Sequence, residues 1–277
     1  MSKQFAQFTG DIPENYHRGL GPHLFMDYGR DIARRAAALQ PRRLLELAAG
    51  TGIVTQLLRD ALADTQITAT DLNPAMLDVA RRNLGDVANI RWQPADAMAL
   101  PFDDNVFDAV VCQFGVMFFP DKDLAYREVY RTLAPGGRYL FNTWDSFEHN
   151  PFARVAHETI SGFFSAEPPG FYHVPFSYHR VDEIAASLAA AAFTDVAMEV
   201  VTIDKEISRI DDFARGLVYG NPVIDEIRNR ADVAPDVVMA AISAALHREF
   251  GAGRRMPLQA IVASAAKPAR SARVTQR

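Results

Sequence analysis

The sequence predicts an α/β fold built on a doubly wound, mostly parallel sheet. From about position 42 onward, short apolar runs alternate with helically spaced apolar residues, which favours parallel strands joined by right-handed crossovers. The run 107–112 carries one charged residue, Asp108, as is typical of a strand covered on both faces. The 277 residues, 49% hydrophobic and 23% charged, fit one large globular domain with insertions.

Charge and cysteine content narrow the classes of function. The chain has 29 basic and 34 acidic residues, so no surplus of cations is available to neutralise phosphates and nucleic-acid binding is disfavoured. The single cysteine, Cys112, excludes an internal disulfide and fits a reducing compartment. No apolar stretch has the ~20 residues of a membrane helix, and because the N-terminal residues have no apolar core of signal-peptide length, no signal peptide is expected. We therefore expect a cytoplasmic protein without a stable membrane anchor.

The elements are predicted from their local patterns in chain order. Seven strands are predicted at 42–47, 66–70, 90–92, 107–112, 138–144, 196–203 and 258–263. The helices between them are predicted at 53–63, from Pro74 onward, at 124–133 and at 181–192. Pro135-Gly136-Gly137 is predicted to separate the third of these helices from the fifth strand.

Two irregular blocks interrupt the alternation of strands and helices. One is rich in Phe, Tyr, His and Pro, and the other shows several short helical patterns. With the N-terminal segment, they are predicted to cover the carboxyl edge of the strands, where such sheets bind ligands. The sequence thus divides into a predicted helical lid segment at 1–41, a core at 42–146 and a lid insertion at 147–180. The core continues at 181–207 and is followed by a helical insertion at 208–255, the last strand at 256–267 and a tail at 268–277. Lys267 and the arginines after it are predicted to fray as a basic tail.

The residues after the first strand give the strongest indication of a ligand site. Ala48-Ala49-Gly50-Thr51-Gly52 links a strand to a helix, where a Gly-x-Gly turn lets backbone approach a ligand and the helix N-terminus favours an anion. The same turn can serve tight packing alone, so by itself it does not decide the function.

Two acidic residues at the next strand ends extend this pattern. Asp71 ends the second strand, where a carboxylate can accept hydrogen bonds from both ribose hydroxyls. Asp96-Ala97 follows the third strand, where a carboxylate and a backbone N–H can pair with an adenine edge. Taken singly, Asp71 could cap the helix at Pro74 and Asp96 could be a solvated loop residue. Together, three successive strand ends offer partners for one nucleoside.

With these segments the chain resembles the class I S-adenosylmethionine-dependent methyltransferases, in the group that includes ubiquinone and menaquinone biosynthesis C-methyltransferases. The motifs lie within roughly 42–144 and are Glu46-Leu47-Ala48-Ala49-Gly50-Thr51-Gly52, Thr70-Asp71-Leu72-Asn73-Pro74-Ala75-Met76-Leu77, Ala95-Asp96-Ala97-Met98-Ala99-Leu100-Pro101-Phe102, Phe107-Asp108-Ala109-Val110-Val111 and Arg131-Thr132-Leu133-Ala134-Pro135-Gly136-Gly137. The resemblance implies a Rossmann-like seven-stranded sheet and S-adenosylmethionine as cofactor. It also implies in-line methyl transfer to a small, partly apolar or aromatic acceptor.

The resemblance also implies a role for each matching residue. The methionine end of the cofactor would be held by Glu46, Ala48, Ala49, Gly50 and Gly52, the ribose by Asp71, the adenine by Leu72, Met76, Asp96 and Ala97, and the sulfonium would lie near Gln113 and Phe114. Tyr16 resembles an N-terminal tyrosine that relatives fold over the cofactor. The family usually has glycine at the position of Ala48, so this turn is expected to be slightly less open.

The catalytic residue and the acceptor stay open at this stage. Tyr16, His149 and His173 are candidates for a base or an orienting group, although each histidine could equally be a surface residue. A set of aromatic residues could form an apolar roof of the pocket or the small core of the insertions: Phe118, Phe119, Phe152, Phe163, Phe164, Phe171, Tyr172 and Phe176. Whether O, N or C is methylated, and whether the protein is a homodimer, are not decided.

Alternatives from other classes remain beside this hypothesis. A protein that binds S-adenosylmethionine without transferring its methyl group would keep the same residues. An NAD(P)-dependent oxidoreductase is disfavoured, because its fingerprint requires a small third residue where this chain has Thr55. The histidines show no zinc-binding spacing, so no metal is expected.

Overall fold

The computed structural model describes residues 7–251 and 253–269, and these contain a seven-stranded sheet of order β3-β2-β1-β4-β5-β7-β6. The strands are β1 (Arg43–Leu47), β2 (Gln66–Asp71), β3 (Ile90–Pro94), β4 (Phe107–Gln113), β5 (Leu133–Trp144), β6 (Thr194–Glu206) and β7 (Arg255–Ala266). The first five strands pair in parallel, and β7 runs antiparallel to both of its neighbours. This architecture confirms the predicted doubly wound, Rossmann-like sheet.

Helices cover both faces and the carboxyl edge of the sheet. The helices are α1 (Ile12–Asn15), α2 (Met26–Ala38), α3 (Ile53–Ala61), α4 (Pro74–Leu84), α5 (Lys122–Thr132), α6 (Pro151–Ser161), α7 (Val181–Ala190), α8 (Ile210–Tyr219), α9 (Val223–Arg230) and α10 (Pro235–Phe250). A π-helix, Tyr16–Phe25, joins α1 to α2, and short 3₁₀ turns form at Val116–Phe118 and Phe171–His173. Among the described residues, no helix is both long enough and apolar enough to cross a bilayer.

The sheet is anchored by apolar side chains in its central strands. Leu44, Leu45, Val110 and Val111 are fully buried, because helices pack on both faces of β1 and β4. The chain winds away from β1 in one direction through β2 and β3, and in the other through β4 and β5. This reversal opens a crevice at the carboxyl ends of β1 and β4, the usual ligand position in open α/β sheets.

The N-terminal segment and the second helical block meet directly over this edge. Gly19 in the π-helix and Gly216 in α8 touch backbone to backbone, since a Cβ built on Gly19 would lie 2.6 Å from the Gly216 Cα. Any larger residue at either position would push the two helices apart. The two segments therefore pack closely against each other and cover this edge together.

Two details differ from the sequence-based expectation. β5 begins at Leu133 rather than at 138, because an irregularity in its pairing with β4 accommodates Pro135-Gly136-Gly137, with Gly136 at a φ of +86°. Lys267 is not part of a frayed tail, since its Nζ donates to the carbonyls of Tyr130 and Leu133, both at 2.8 Å. The ammonium thus satisfies carbonyls at the end of α5. The arginines predicted in the tail lie outside the described residues.

Candidate active site

A cavity of about 610 Å³ lies at the carboxyl edge of the sheet, within the size range of small-molecule sites. Strand ends of the core line one part of it with polar groups, among them Asp71, Asp96 and Gln113. The N-terminal segment, the 3₁₀ turn Phe171–His173 and α8 contribute mainly apolar side chains. The two parts form one continuous space.

The turn after β1 is shaped by two residues of different function. Gly52, at a φ of +83°, is required by packing, because a Cβ there would lie 3.0 Å from both the Ala80 Cβ and the Leu84 Cδ1. Gly50, at +55°, lines the cavity, and a Cβ there would make ordinary contacts with the Met76 Cε at 3.5 Å and the Ala48 carbonyl oxygen at 4.0 Å. Gly50 therefore keeps the backbone open to a ligand. Ala49 is buried beside the main cavity and donates its N–H to the Thr70 carbonyl at 2.8 Å.

Ala48 adopts a backbone conformation that is strained for a residue with a side chain. It lines the cavity at a φ of +52°, in the left-handed region that disfavours a side chain. Its methyl group is accommodated by Gly115, where a Cβ would lie only 2.5 Å from the Ala48 Cβ. Strained residues of this kind cluster at functional sites.

Asp71 ties the turn to the end of β2 through both of its carboxylate oxygens. Oδ2 accepts the Gly50 N–H at 2.9 Å and Oδ1 accepts the Asn73 N–H at 2.8 Å. Burial raises the pKa of this carboxyl, while the hydrogen bonds from Asn73 and Gly50 oppose the rise. The N-cap of α4 is Asn73, so Asp71 does not cap that helix. Oδ1 also accepts a hydrogen bond from Asn73 Nδ2 at 3.3 Å. The carboxylate lines the cavity and keeps a lone pair on Oδ2 for a further donor.

The next strand end adds one carboxylate and an apolar platform. Asp96 accepts the Met98 N–H at 2.9 Å through Oδ1, which closes a turn that brings Ala97 to the cavity wall. Met76 lines the cavity and is buried. Leu72 lines it too but is 56% exposed, unusual for a large apolar side chain. A flat apolar ligand seated there would remove this surface from water.

Below the turn lie polar atoms without partners among the described residues. Glu46 is buried behind the lining, and its Oε2 receives no hydrogen bond. Burial raises the pKa of Glu46 to about 8, with a smaller contribution from the charge of Asp71. Gln113 donates its Nε2 to the Phe25 carbonyl at 3.0 Å, while its buried Oε1 accepts nothing. The unpartnered Oε1 of Gln113, which lines the cavity, fits a ligand that brings a donor of its own.

Tyr16 closes the cavity from the N-terminal side. Its ring stacks on Phe25 at 4.9 Å, and Phe8 packs edge-on against it at 5.8 Å. The Phe8 N–H donates to the Asn73 Oδ1 at 3.2 Å, which fastens this segment to the end of β2. Burial, together with the charge of Asp71, raises the pKa of Tyr16, so its hydroxyl stays protonated. Phe8 was not predicted as a site residue, although its position close to Tyr16 in the sequence was a usable signal.

The apolar part of the cavity is built around a stacked pair of rings. Phe114, at a φ of +50°, lies face to face with Trp144, with ring centroids 3.9 Å apart and an angle of 7°. The predicted roof aromatics that line the cavity are Phe118, Phe119, Phe152, Phe171, Tyr172 and Phe176. Phe163 and Phe164 do not line it and pack against the core instead. Trp144, at the end of β5, is a lining residue that the sequence pattern did not single out.

The two histidine candidates are not brought to the cavity. His149 is exposed on the turn between β5 and α6. The 3₁₀ turn Phe171–His173 directs Phe171 and Tyr172 to the cavity and leaves His173 exposed, 4.4 Å from the ring of His157. A one-residue step along this tight turn places a side chain on the opposite side. Within the described ranges, no cluster of three or more His, Cys, Asp or Glu is arranged to hold a metal ion.

Comparisons with known proteins agree with this geometry. Residues 45–141 match the family described as Methyltransferase domain. The chain is 32% identical over 194 residues to a demethylmenaquinone methyltransferase of Thermus thermophilus, covering 64% of this chain and 88% of that relative. It is 44% identical over 102 residues to a ubiquinone/menaquinone biosynthesis C-methyltransferase of Idiomarina loihiensis, covering 35% of this chain and 41% of that relative.

Solved structures share the fold. Phosphoethanolamine N-methyltransferase 2 of Haemonchus contortus, in complex with S-adenosyl-L-methionine, matches 97% of this chain and 60% of its own with a TM-score of 0.61 and 16% identity. This match shows the architecture, and the sequence relatives show the enzyme class, which excludes the oxidoreductase alternative. The chain therefore belongs to the class I S-adenosylmethionine-dependent methyltransferases, in the group of the ubiquinone and menaquinone biosynthesis C-methyltransferases.

Proposed function

We propose that this enzyme methylates a small, mostly apolar aromatic acceptor that carries a ring hydroxyl. The observation that carries this proposal is the continuity of the polar strand ends with a space walled by aromatic rings. A flat ring could lie against the stacked pair of Phe114 and Trp144. The similarity to a demethylmenaquinone methyltransferase supports a quinol-type ring and transfer to carbon.

The polar part is proposed to hold the cofactor, which when bound supplies an electrophilic methyl group. Asp71 keeps a free lone pair on Oδ2 for a ribose hydroxyl, and Asp96 with Ala97 stands where an adenine edge would be read. Leu72 and Met76 offer the apolar contact for the base. The unpartnered Oε1 of Gln113 supports a place near the sulfonium, together with Phe114. We assign the turn from Ala48 to Gly52, with Glu46 buried behind it, to the methionine end.

In this proposal the chain contributes positioning and exclusion of water rather than a proton acceptor. The ionisable groups among the lining residues are Tyr16, Asp71, Asp96 and Tyr172. Burial raises the pKa of both tyrosines, so neither is a base near neutral pH. The two aspartates are assigned to the ribose and the adenine of the cofactor. Activation is therefore assigned to ionisation of the acceptor's own hydroxyl. The ring carbon would take the methyl group as the bond from the methyl group to sulfur breaks. The ring carbon would then lose its proton to solvent, which restores the aromatic ring. Holding both partners in line can supply ~7–11 kcal/mol of the barrier.

A transfer assay with labelled methyl groups tests the proposal. The enzyme, with cofactor labelled in the methyl group, is given 1,4-naphthohydroquinone, kept reduced, or phosphoethanolamine as acceptor. We expect label in the aromatic product alone. Label in the amine, or tight cofactor binding with no transfer to either acceptor, would contradict it. The second outcome would point to a cofactor-binding protein without transferase activity.

Two variants distinguish acceptor binding by the apolar wall from a general effect on stability. Phe118 and Phe163 are both half-buried, but only Phe118 lines the cavity. Phe118→Ala is expected to raise the KM for the aromatic acceptor about tenfold, the upper end of the ~0.5–1.5 kcal/mol that a ring–ring contact contributes. Phe163→Ala should leave this KM unchanged. Equal effects of both variants would mean that the wall does not bind the acceptor.

A further inference from the structure

The turn that carries Asp96 belongs to a segment that cannot fix its own shape. Residues 95–106, between β3 and β4, form no helix and no strand beyond a single bridge from Asp96 to Ala99. One end of the segment is tied to β2, since the Ala95 N–H donates to the Asp71 carbonyl at 3.0 Å. The position of Asp96 at the cavity wall therefore depends on what holds the other end.

Two side chains of α5, Glu128 and Arg131, hold that other end through its backbone. Glu128 Oε2 accepts the Leu100 N–H at 2.8 Å, and Arg131 Nη2 donates to the Leu100 carbonyl at 2.9 Å. Arg131 Nη1 donates to the Phe102 carbonyl at 2.6 Å. Both polar backbone groups of Leu100, and one carbonyl two residues further on, are thus satisfied by residues one helical turn apart.

The two side chains also fix each other. Arg131 Nε donates to Glu128 Oε1 and Arg131 Nη2 donates to Glu128 Oε2, both at 2.8 Å, which is the paired geometry of a guanidinium on a carboxylate. The hydrogen bonds from Arg131 lower the pKa of the Glu128 carboxyl, so the pair stays charged at neutral pH. A lysine would keep the charge but would lack the planar group that reaches all of these partners.

We propose that Arg131, oriented by Glu128, is a positioning residue for recognition of the adenine ring, and that it acts through the turn of Asp96 and Ala97. The inference rests on the proposed placement of the adenine at this turn, and it adds a residue that lies outside the cavity lining. Hydrogen bonds weaken steeply with misalignment. A displaced turn would therefore lose its contacts to the base, whereas Asp71 would still hold the ribose.

Two matched probes test the inference without an acceptor. The full chain is titrated calorimetrically with S-adenosylhomocysteine and with S-inosylhomocysteine, in which a carbonyl oxygen replaces the amino group of the adenine. The unaltered chain should prefer the adenine compound about tenfold or more, because the carbonyl would face the Asp96 carboxylate without a hydrogen between them. Arg131→Lys should weaken binding of the adenine compound about tenfold and leave the inosine compound unchanged, so the preference falls.

Three further variants complete the experiment. Glu128→Gln should also lower the preference, and it provides the test if Arg131→Lys does not fold. Asp96→Ala should lower the preference by removing the contact itself. Arg138→Lys is the matched control, because Arg138 is similarly half-buried and donates to Asp195 Oδ2 at 2.6 Å, but does not line the cavity or hold this turn. It should keep the preference, and melting temperatures check that each variant is folded.

The outcomes separate the role of Arg131 from the placement of the cofactor. Arg131→Lys that keeps the preference, or that weakens both probes by the same factor, would overturn the inference, as would an equal loss of preference in Arg138→Lys. Equal binding of both probes by the unaltered chain, or a preference that survives Asp96→Ala, would refute the proposed adenine placement and the inference with it. Failure of methyl transfer to the hydroquinone would refute the proposed acceptor and leave the role of Arg131 intact.

Discussion

Replacing Asp71 by asparagine should damage the cofactor site even though the side chain keeps its size. The two carboxylate oxygens accept one backbone N–H each, from Gly50 and from Asn73. An amide has one oxygen, so its NH₂ group must face one of these two donors. If the oxygen stays with Asn73, the Gly50 N–H is left unpaired and the turn that lines the cavity loses its anchor.

The expected loss follows from the number of bonds. Hydrogen bonds to a charged group contribute roughly 1.5–3 kcal/mol, and an unsatisfied buried donor costs about 1–3 kcal/mol. We therefore expect Asp71→Asn to lower the free energy of unfolding by about 2 kcal/mol and to weaken S-adenosylhomocysteine binding about tenfold or more. Asp71→Ala loses both backbone bonds and also the bond from Asn73 Nδ2, and it should weaken binding by about a hundredfold.

Asp96 provides the matched control for this experiment. Its carboxylate accepts one backbone N–H, from Met98, through one oxygen, so an amide oxygen can replace it. Asp96→Asn should therefore keep the melting temperature. Calorimetric titration and thermal unfolding on both variants measure the difference. Unchanged stability and affinity in Asp71→Asn would refute the argument that both carboxylate oxygens are needed, and so would an equal loss of stability in Asp96→Asn. If Asp71→Asn loses stability but keeps its affinity for the cofactor product, Asp71 does not contact the ribose.

Three further expectations concern strain, burial and proton transfer. Ala48→Gly should raise the free energy of unfolding by about 0.5–1 kcal/mol, because glycine removes the left-handed strain; a lower melting temperature would contradict this. Burial raises the pKa of the Glu46 carboxyl to about 8 from its ordinary 4.5. The protonated side chain therefore contributes fully to stability below pH 4.5, and this contribution is lost as the pH rises through 8. Glu46→Gln should accordingly flatten the fall of melting temperature over that interval, and an unchanged slope would show that Glu46 is not protonated in the fold. With a hydroquinone acceptor, the rate should rise as the acceptor's hydroxyl ionises, at lower pH for a more acidic acceptor, whereas a profile independent of the acceptor would identify a protein base.

The sheet and the polar strand ends could be predicted because their signals are local. Each strand is a short apolar run, and Asp71 and Asp96 come directly after such runs. The difference from the family at Ala48 also pointed to a real feature, a side chain in the left-handed region. These properties depend on neighbours in the sequence, so one sequence was enough to find them.

The acceptor side could not be predicted in the same way. Trp144 and Asn221 reach the cavity from separate parts of the chain, and nothing in their own segments marks them. His173 failed as a candidate because the tight turn that carries Tyr172 into the cavity leaves its neighbour outside. The start of β5 was missed because Pro135-Gly136-Gly137, normally a turn, is accommodated within an irregular strand pair. Tertiary packing decides each of these outcomes.

The position of β7 between β5 and β6 has a consequence for biosynthesis. β6 pairs with β7 alone, and α8, α9 and α10 separate the two strands in the chain. At roughly 5–20 residues per second, the ribosome releases β6 several seconds before its partner. During that interval its backbone donors and the side chains of Val201 and Ile203, which pack against the core in the finished fold, face water or a chaperone. A ribosome that stalls before residue 255 would thus release a nascent chain with an open sheet edge, a species prone to aggregation.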